Sequence, residues 1–264
     1  MLSRRIMIIS AAFVLAWAYF IFFKDRPDFI WLLAISLGIL VLSYVFQHPI
    51  DQLATRGVPQ TLDPSMHQML LMTAPYYARS PQDQQLLMQD RMVRWVLRKE
   101  FINKNEHQVP DDLKFILAYY GILLTLHQED FRYDIFDRIA FYEHPFLTPS
   151  KSEEVHIVET ESEDGTMIFS VPHLLKGHLE KGYYNIAIHA TAEAYRDQYI
   201  KEDVSWDPLI WDKLENVSRI SRPQMEAYLG FALNDPWPVA VHHQITYLGA
   251  EIEEVLHFFP QLKA

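Results

Sequence analysis

Two uninterrupted apolar runs, residues 6–23 and 29–46, lead the chain, and each is about long enough as a helix to cross the hydrocarbon core of a bilayer. Only Lys24, Asp25, Arg26, Pro27 and Asp28 separate them. Such a short charged link predicts a hairpin of two antiparallel spans, with Trp17, Tyr19, Trp31 and Tyr44 available as interfacial anchors. The first run continues through Tyr19 to Phe23, past its only small-x-small triplet, Ala16-Trp17-Ala18, which argues against a cleaved signal peptide. Pro49, Gly57, Pro59 and Pro64 then mark a stretch with little periodicity. The expected organisation is a transmembrane hairpin over residues 1–50, a linker over 51–63 and a folded domain over 64–264.

Within the domain, apolar residues return at helical spacing over 64–77, 81–101 and 111–127, the last behind Pro110-Asp111-Asp112, whose carboxylates suit the positive end of a helix. Strands are expected at 138–142, 155–159 and 166–171, the last two paired across the turn signal Ser162-Glu163-Asp164-Gly165. Helical patterns resume at 172–178, 181–201, 208–217, 222–233, 236–248 and 250–259. The pattern is that of a mostly helical α+β domain with a small β-sheet.

The stretch YYNIAIHATAEAYRDQYI, residues 183–200, reads as an amphipathic helix on which His189 and Glu193 project from one face, one turn apart. A zinc helix of the H-E-x-x-H type carries two histidines at that spacing, with a glutamate directly after the first as general base. Here the five residues are His189, Ala190, Thr191, Ala192 and Glu193. A His and a Glu four apart also form an ordinary polar pair. His242 and His243 are further candidate ligands, of which a helix turns at most one inward.

Composition narrows the chemistry. No cysteine is present, so disulfides and thiolate metal sites are excluded, and any zinc would need His and carboxylate ligands. The formal charge is −11; four basic and two acidic residues give the first 50 residues +2, leaving −13 for the rest. That excess disfavours nucleic acid. Trp206, Trp211, Trp237, Tyr183, Tyr184 and Tyr195 cluster around the presumed cleft and either fill the core or line a groove. The acidic residues Glu251, Glu253 and Glu254 read as one solvated helix face, and His173, His178 and His257 as structural or solvated.

Three local matches carry a family resemblance from about Leu86 onward: LRKEF (residues 97–101) followed by DDLKFILAYYGILLTL (residues 111–126), IAFYEHPF (residues 139–146) and NIAIH (residues 185–189). In their order these segments resemble the Mlc titration factor A family of zinc peptidases, which are gluzincin-like. The resemblance implies a zincin-like metallopeptidase fold. It assigns His189 to the first metal-ligand position, Ala190 to the general base and Glu193 to the second ligand. It also matches NDPWPVAVHHQITY (residues 234–247) to the helix that supplies the third ligand, at Trp237.

Alanine cannot take a proton from water, and losing a positioned base alone costs about 100-fold to 10,000-fold in rate. No catalytic residue and no cofactor are therefore expected. The reading is a catalytically degenerate, membrane-anchored pseudopeptidase, with residues 6–46 in the bilayer of the inner (plasma) membrane, a cytoplasmic C-terminal domain and an unidentified protein partner. The Arg4-Arg5 and Lys24/Arg26 pairs tie on orientation. The free N-terminal amine and the missing cysteines favour an inside N-terminus. A zinc-dependent peptidase with a remodelled His189/Glu193/His242 or His243 site is the alternative, and a structural subunit of a membrane complex is the third reading.

Overall fold

The computed structural model describes residues 2–24, 26–46, 50, 60–104, 108–148, 154–247, 250 and 252–263. Asp25, Glu251 and residues 51–59 of the expected linker lie outside them. The chain forms two compact units, Met1–Gln60 and Thr61–Ala264.

The first unit pairs helix α1 (Leu2–Phe23) with α2 (Ile30–Val45) through a 3-10 turn at Pro27–Phe29. Both are long and apolar enough to cross a membrane. Trp17 stacks on Phe29 with ring centroids 5.2 Å apart, which fixes an antiparallel register. Seven and fourteen residues away on each helix lie Ser10 and Ser3, and Ser36 and Ser43, and all four serines are buried. Small side chains at heptad spacing let the two backbones approach closely, while the large apolar residues face outward.

The second unit runs α3 (Pro64–Thr73), α4 (Pro75–Arg79), α5 (Gln82–Val96), β1 (Glu100–Asn103), α6 (Asp111–Leu124), β2 (Arg138–Tyr142), β3 (Val158–Glu161), β4 (Thr166–Ser170), α7 (Val171–Leu179), α8 (Ile186–Tyr199), α9 (Ile210–Ser218), α10 (Arg222–Leu229), α11 (Trp237–Thr246) and α12 (Glu253–Phe258). The sheet order is β1-β2-β4-β3. β1, β2 and β4 are parallel, and β3 closes one side antiparallel to β4, the hairpin that the turn signal implied.

Several boundaries differ from the sequence pattern, each for a local reason. The first expected helix breaks at Ala74, because Pro75 has no N–H and disfavours helical geometry in the residue before it. The second stops at Val96 instead of reaching Phe101, and residues 100–103 form the fourth strand. Lys99 secures that departure: it is buried, and its Nζ donates to the carbonyls of Tyr133, at 2.7 Å, and Phe136. Burial pulls its pKa down to about 8. The strand expected at 155–159 sits at Val158–Glu161, since His156 pairs only with Phe146 and Ile157 donates its N–H to the Leu229 carbonyl. The unit also starts before Pro64, with Leu62 buried and its N–H given to Gln89 Oε1 at 3.2 Å.

The largest correction concerns residues 181–201. The helix begins only at Ile186, where Asn185 caps it by accepting from the N–H groups of Ala187 at 3.0 Å and Ile188 at 3.3 Å. Every residue from Ile186 to Ala192 is buried, so α8 is a central helix and not an amphipathic one. It packs against α6, α7, α11 and β3.

Gly230 ends α10 four residues earlier than its pattern suggests, at φ 89°. A Cβ there would come within 2.1 Å of the Val155 carbonyl oxygen. Gly182 has a similar φ of 97° but open space around it. Gly230→Ala is expected to destabilise the protein by about 3 kcal/mol or more, and Gly182→Ala by only about 1–2 kcal/mol. Denaturant unfolding of the two variants checks this; equal effects would mean that backbone strain, not the approach to Val155, is what Gly230 relieves.

Candidate functional site

The fully buried His189 on α8 is hydrogen-bonded at one ring nitrogen and faces a carboxylate at the other. Its Nδ1 lies 2.8 Å from the Tyr184 hydroxyl, and its Nε2 lies 3.4 Å from Glu193 Oε1 without the alignment of a hydrogen bond. Burial raises the Tyr184 pKa far above its ordinary value, with Glu193 adding to the shift, so the phenol stays protonated beside Nδ1.

Ala190 is also buried on α8 and offers no polar atom. Trp237, at the start of α11, is fully buried, and its indole Nε1 donates to the Ala192 carbonyl on α8 at 2.7 Å. Tyr195, Trp206, Phe258 and Phe259 surround the ring. Tyr184 and Tyr195 are buried with Trp237, Trp206 and Trp211 are half-buried, and Tyr183 is exposed.

His242 and His243 correct an expectation. Both are buried, where a helical alternation of faces was expected to leave one outside. They fit because α11 is enclosed by α8, α9 and α12. His242 Nε2 accepts from the Asn185 N–H at 3.0 Å, and its ring stacks on Tyr184 with centroids 4.1 Å apart. Its Nδ1 faces His243 Nδ1 at 3.3 Å. The polar chain continues away from α8: the Asn185 amide donates to the Tyr120 hydroxyl at 2.8 Å, Tyr120 meets His178 Nδ1 at 3.0 Å, and His178 Nε2 meets Thr73 Oγ1 at 2.9 Å. His178 is thus a buried structural residue. Tyr120 and Thr73 have no signal in their own segments that would place them in this chain.

A catalytic zinc needs three protein ligands and an open fourth position. The donor set on α8 and α11 does not fit one. His189 and Glu193 converge, but the indole of Trp237 has no lone pair to offer, and His242 commits its Nε2 lone pair to the Asn185 N–H. Among the described residues, no group of three or more His, Asp or Glu side chains comes together as a metal would require. Beside Glu193 lies a cleft of about 360 Å³, lined also by Glu154, Phe231, Leu233, Asp235 and Pro238.

Burial holds the pKa of His178 and of His243 at about 4, below the ordinary 6.5, and that of His242 well below 6.5. Their folded forms stay neutral in a range where the unfolded chain takes up protons. The stability they allow is therefore complete above about pH 6.5 and falls as the pH drops toward 4, by about 1.4 kcal/mol per pH unit for each histidine. Urea midpoints measured between pH 8 and 4 are expected to decline below 6.5, and less steeply in His178→Gln; a flat profile would refute the neutral buried state.

Neither the curated proteins nor the solved structures include a match to this chain. A family model does match, over residues 52–194, just over half of the chain, and its span takes in α8 through Ala194 but stops short of α11. That family is described as the glucose-regulated metallo-peptidase M90, and with the capped, buried helix of His189 inside the matched span, the chain belongs to it, the Mlc titration factor A family of metallopeptidases.

Proposed function

We propose that this family member is catalytically degenerate and serves as a binding or regulatory module. The observation that carries the proposal is Trp237: at the position the family resemblance gives to the third ligand, a buried indole is bonded to the backbone of α8. Ala190 at the base position and Glu193 at the second ligand position point the same way. Without a base and without three ligands, water has neither the Lewis acid nor the proton acceptor that peptide hydrolysis requires. What remains beside α8 is a cleft, and a cleft can still hold a polypeptide. In this reading α1 and α2 anchor the module in the inner membrane with residues 61–264 on the cytoplasmic side, and a protein partner docks there.

One observation favours the alternative of a remodelled zinc peptidase: His189 Nε2 and Glu193 Oε1 face each other at 3.4 Å, as two ligands could. Metal content separates the two. The full chain purified in detergent is expected to hold well under one zinc per molecule by elemental analysis, unchanged in His189→Ala and Glu193→Ala. Near-stoichiometric zinc, lost in both variants, would sink the degenerate reading.

A further inference from the structure

The two edges of the sheet differ. β3, at one edge, packs against α8, whereas β1 at the other has β2 as its one neighbour in the strand order. Glu100 donates its N–H to the Asp137 carbonyl and Lys104 donates to that of Phe141, so the even-numbered residues turn their backbone groups toward β2. By the alternation of a parallel ladder, Phe101 turns its N–H and C=O to the outer side.

Charge commonly keeps such an edge from pairing, and this one carries a charge at each end. Glu100 opens β1, and Lys104, one residue past it, continues the ladder. Both are exposed and share a face with Ile102, but four residues of extended chain set them about 13 Å apart, too far to pair with each other. Among the described residues neither has an ion-pair partner. Arg138, beside Glu100 in the β1–β2 register, gives its guanidinium to the Asp164 carbonyl and lies 3.9 Å from Asp137 instead. The Lys104 ammonium stands 5.9 Å from the centroid of the Tyr142 ring.

These two charges become complementary across a two-fold axis. An antiparallel pairing of β1 with a second β1 opposes odd-numbered residues to odd-numbered ones, because those carry the outward backbone groups. Centred on Ile102, it sets Ile102 opposite Ile102 and brings Glu100 of each copy against Lys104 of the other. Opposite charges in that position stabilise a strand pair. The next register in either direction puts Ile102 opposite a charge, Glu100 or Lys104, and loses the match.

Both faces of the edge also have apolar surface to cover. Ile102 begins a row that runs through Ala140 on β2 and Ile168 on β4, and the pairing would join two such rows into one stripe. On the opposite face, a cleft of about 710 Å³ lies beside the half-buried Phe101, lined also by Val109, Pro110, Asp111 and Lys114 at the start of α6. A strand laid along β1 would extend the cover over that cleft.

We infer that β1 pairs antiparallel with β1 of a second copy of this chain, centred on Ile102, making a continuous eight-stranded sheet closed at its middle by two Glu100–Lys104 ion pairs. The inference goes beyond the reading of the α8 site and holds for a peptidase as for a binding module.

The chain has no cysteine, so Ile102→Cys is a specific probe: residues opposite one another in a non-hydrogen-bonded pair lie about 4.5 Å apart at Cα, within the span of a disulfide. Oxidation of the full chain in detergent is expected to convert most of this variant to a cross-linked dimer, and little of Glu163→Cys, which is exposed in the turn beyond β3. In the cysteine-free chain, Glu100→Lys and Lys104→Glu should each weaken self-association by about tenfold or more in sedimentation equilibrium, and the two together should restore it to within about threefold, since their charges again oppose across the axis. Unchanged thermal transitions check the folds. A monomeric parent chain, a dimer indifferent to the single reversals, or a double variant no better than the singles would each overturn the inference, the second outcome by placing the contact elsewhere, as on α1 and α2. An Ile102→Cys adduct in membranes with a different protein in place of a second copy would overturn it as well.

Discussion

Burying the first half of α8, Ile186–Ala192, on every side places polar groups where water cannot reach them, and each must find a protein partner or cost free energy. Thr191 turns its hydroxyl back to the Ala187 carbonyl at 2.7 Å. Asn185 serves three ways at once: its Oδ1 caps the helix, its Nδ2 reaches Tyr120, and its backbone N–H reaches His242. His189 finds Tyr184 on one side only. The positions of α6, α7 and α11 around α8 follow from these needs as much as from apolar packing, because Tyr120, His178 and His242 come from those three helices.

A helix of this kind suits a metallopeptidase, in which the buried imidazole would hold an ion. Trp237 joins α11 to α8 by packing and by its indole N–H, and Tyr195, Phe258 and Phe259 enclose the ring. In the degenerate reading proposed above, a large aromatic at the third-ligand position exchanges a coordinate bond for buried apolar area. The acidic cleft remains next to it, on the side of α8 that carries Glu193.

The N-terminal hairpin obeys a different constraint. In a bilayer, apolar side chains gain little by turning inward, so close backbone approach and small residues decide which faces meet. Ser3, Ser10, Ser36 and Ser43 lie on the inner faces, and Leu15, Phe22, Trp31 and Tyr44 face outward. Such an inside-out distribution is the one a membrane solvent would favour, and the reverse of the second unit's core.

Two apolar runs of spanning length, the β3–β4 turn, three of the four strands and most of the helices of a mostly helical α+β domain, and the identity of the residues at positions 189, 190 and 193 were legible in the sequence, because each is a local property of composition, period or spacing. The serine heptads were equally present there, but their meaning depends on an antiparallel register that the Trp17–Phe29 stack fixes. Strand β1 was not legible: Glu100–Asn103 becomes a strand because β2, more than thirty residues on, offers it a ladder, and because Lys99 reaches the carbonyls of Tyr133 and Phe136. The burial of both His242 and His243 depended on α9 and α12 closing over α11, and the cleft on three carboxylates from distant segments. Periodicity shows which residues can face a core, but only tertiary packing decides how many sides of a helix are covered, and therefore which polar groups must pair and which are left facing a cleft.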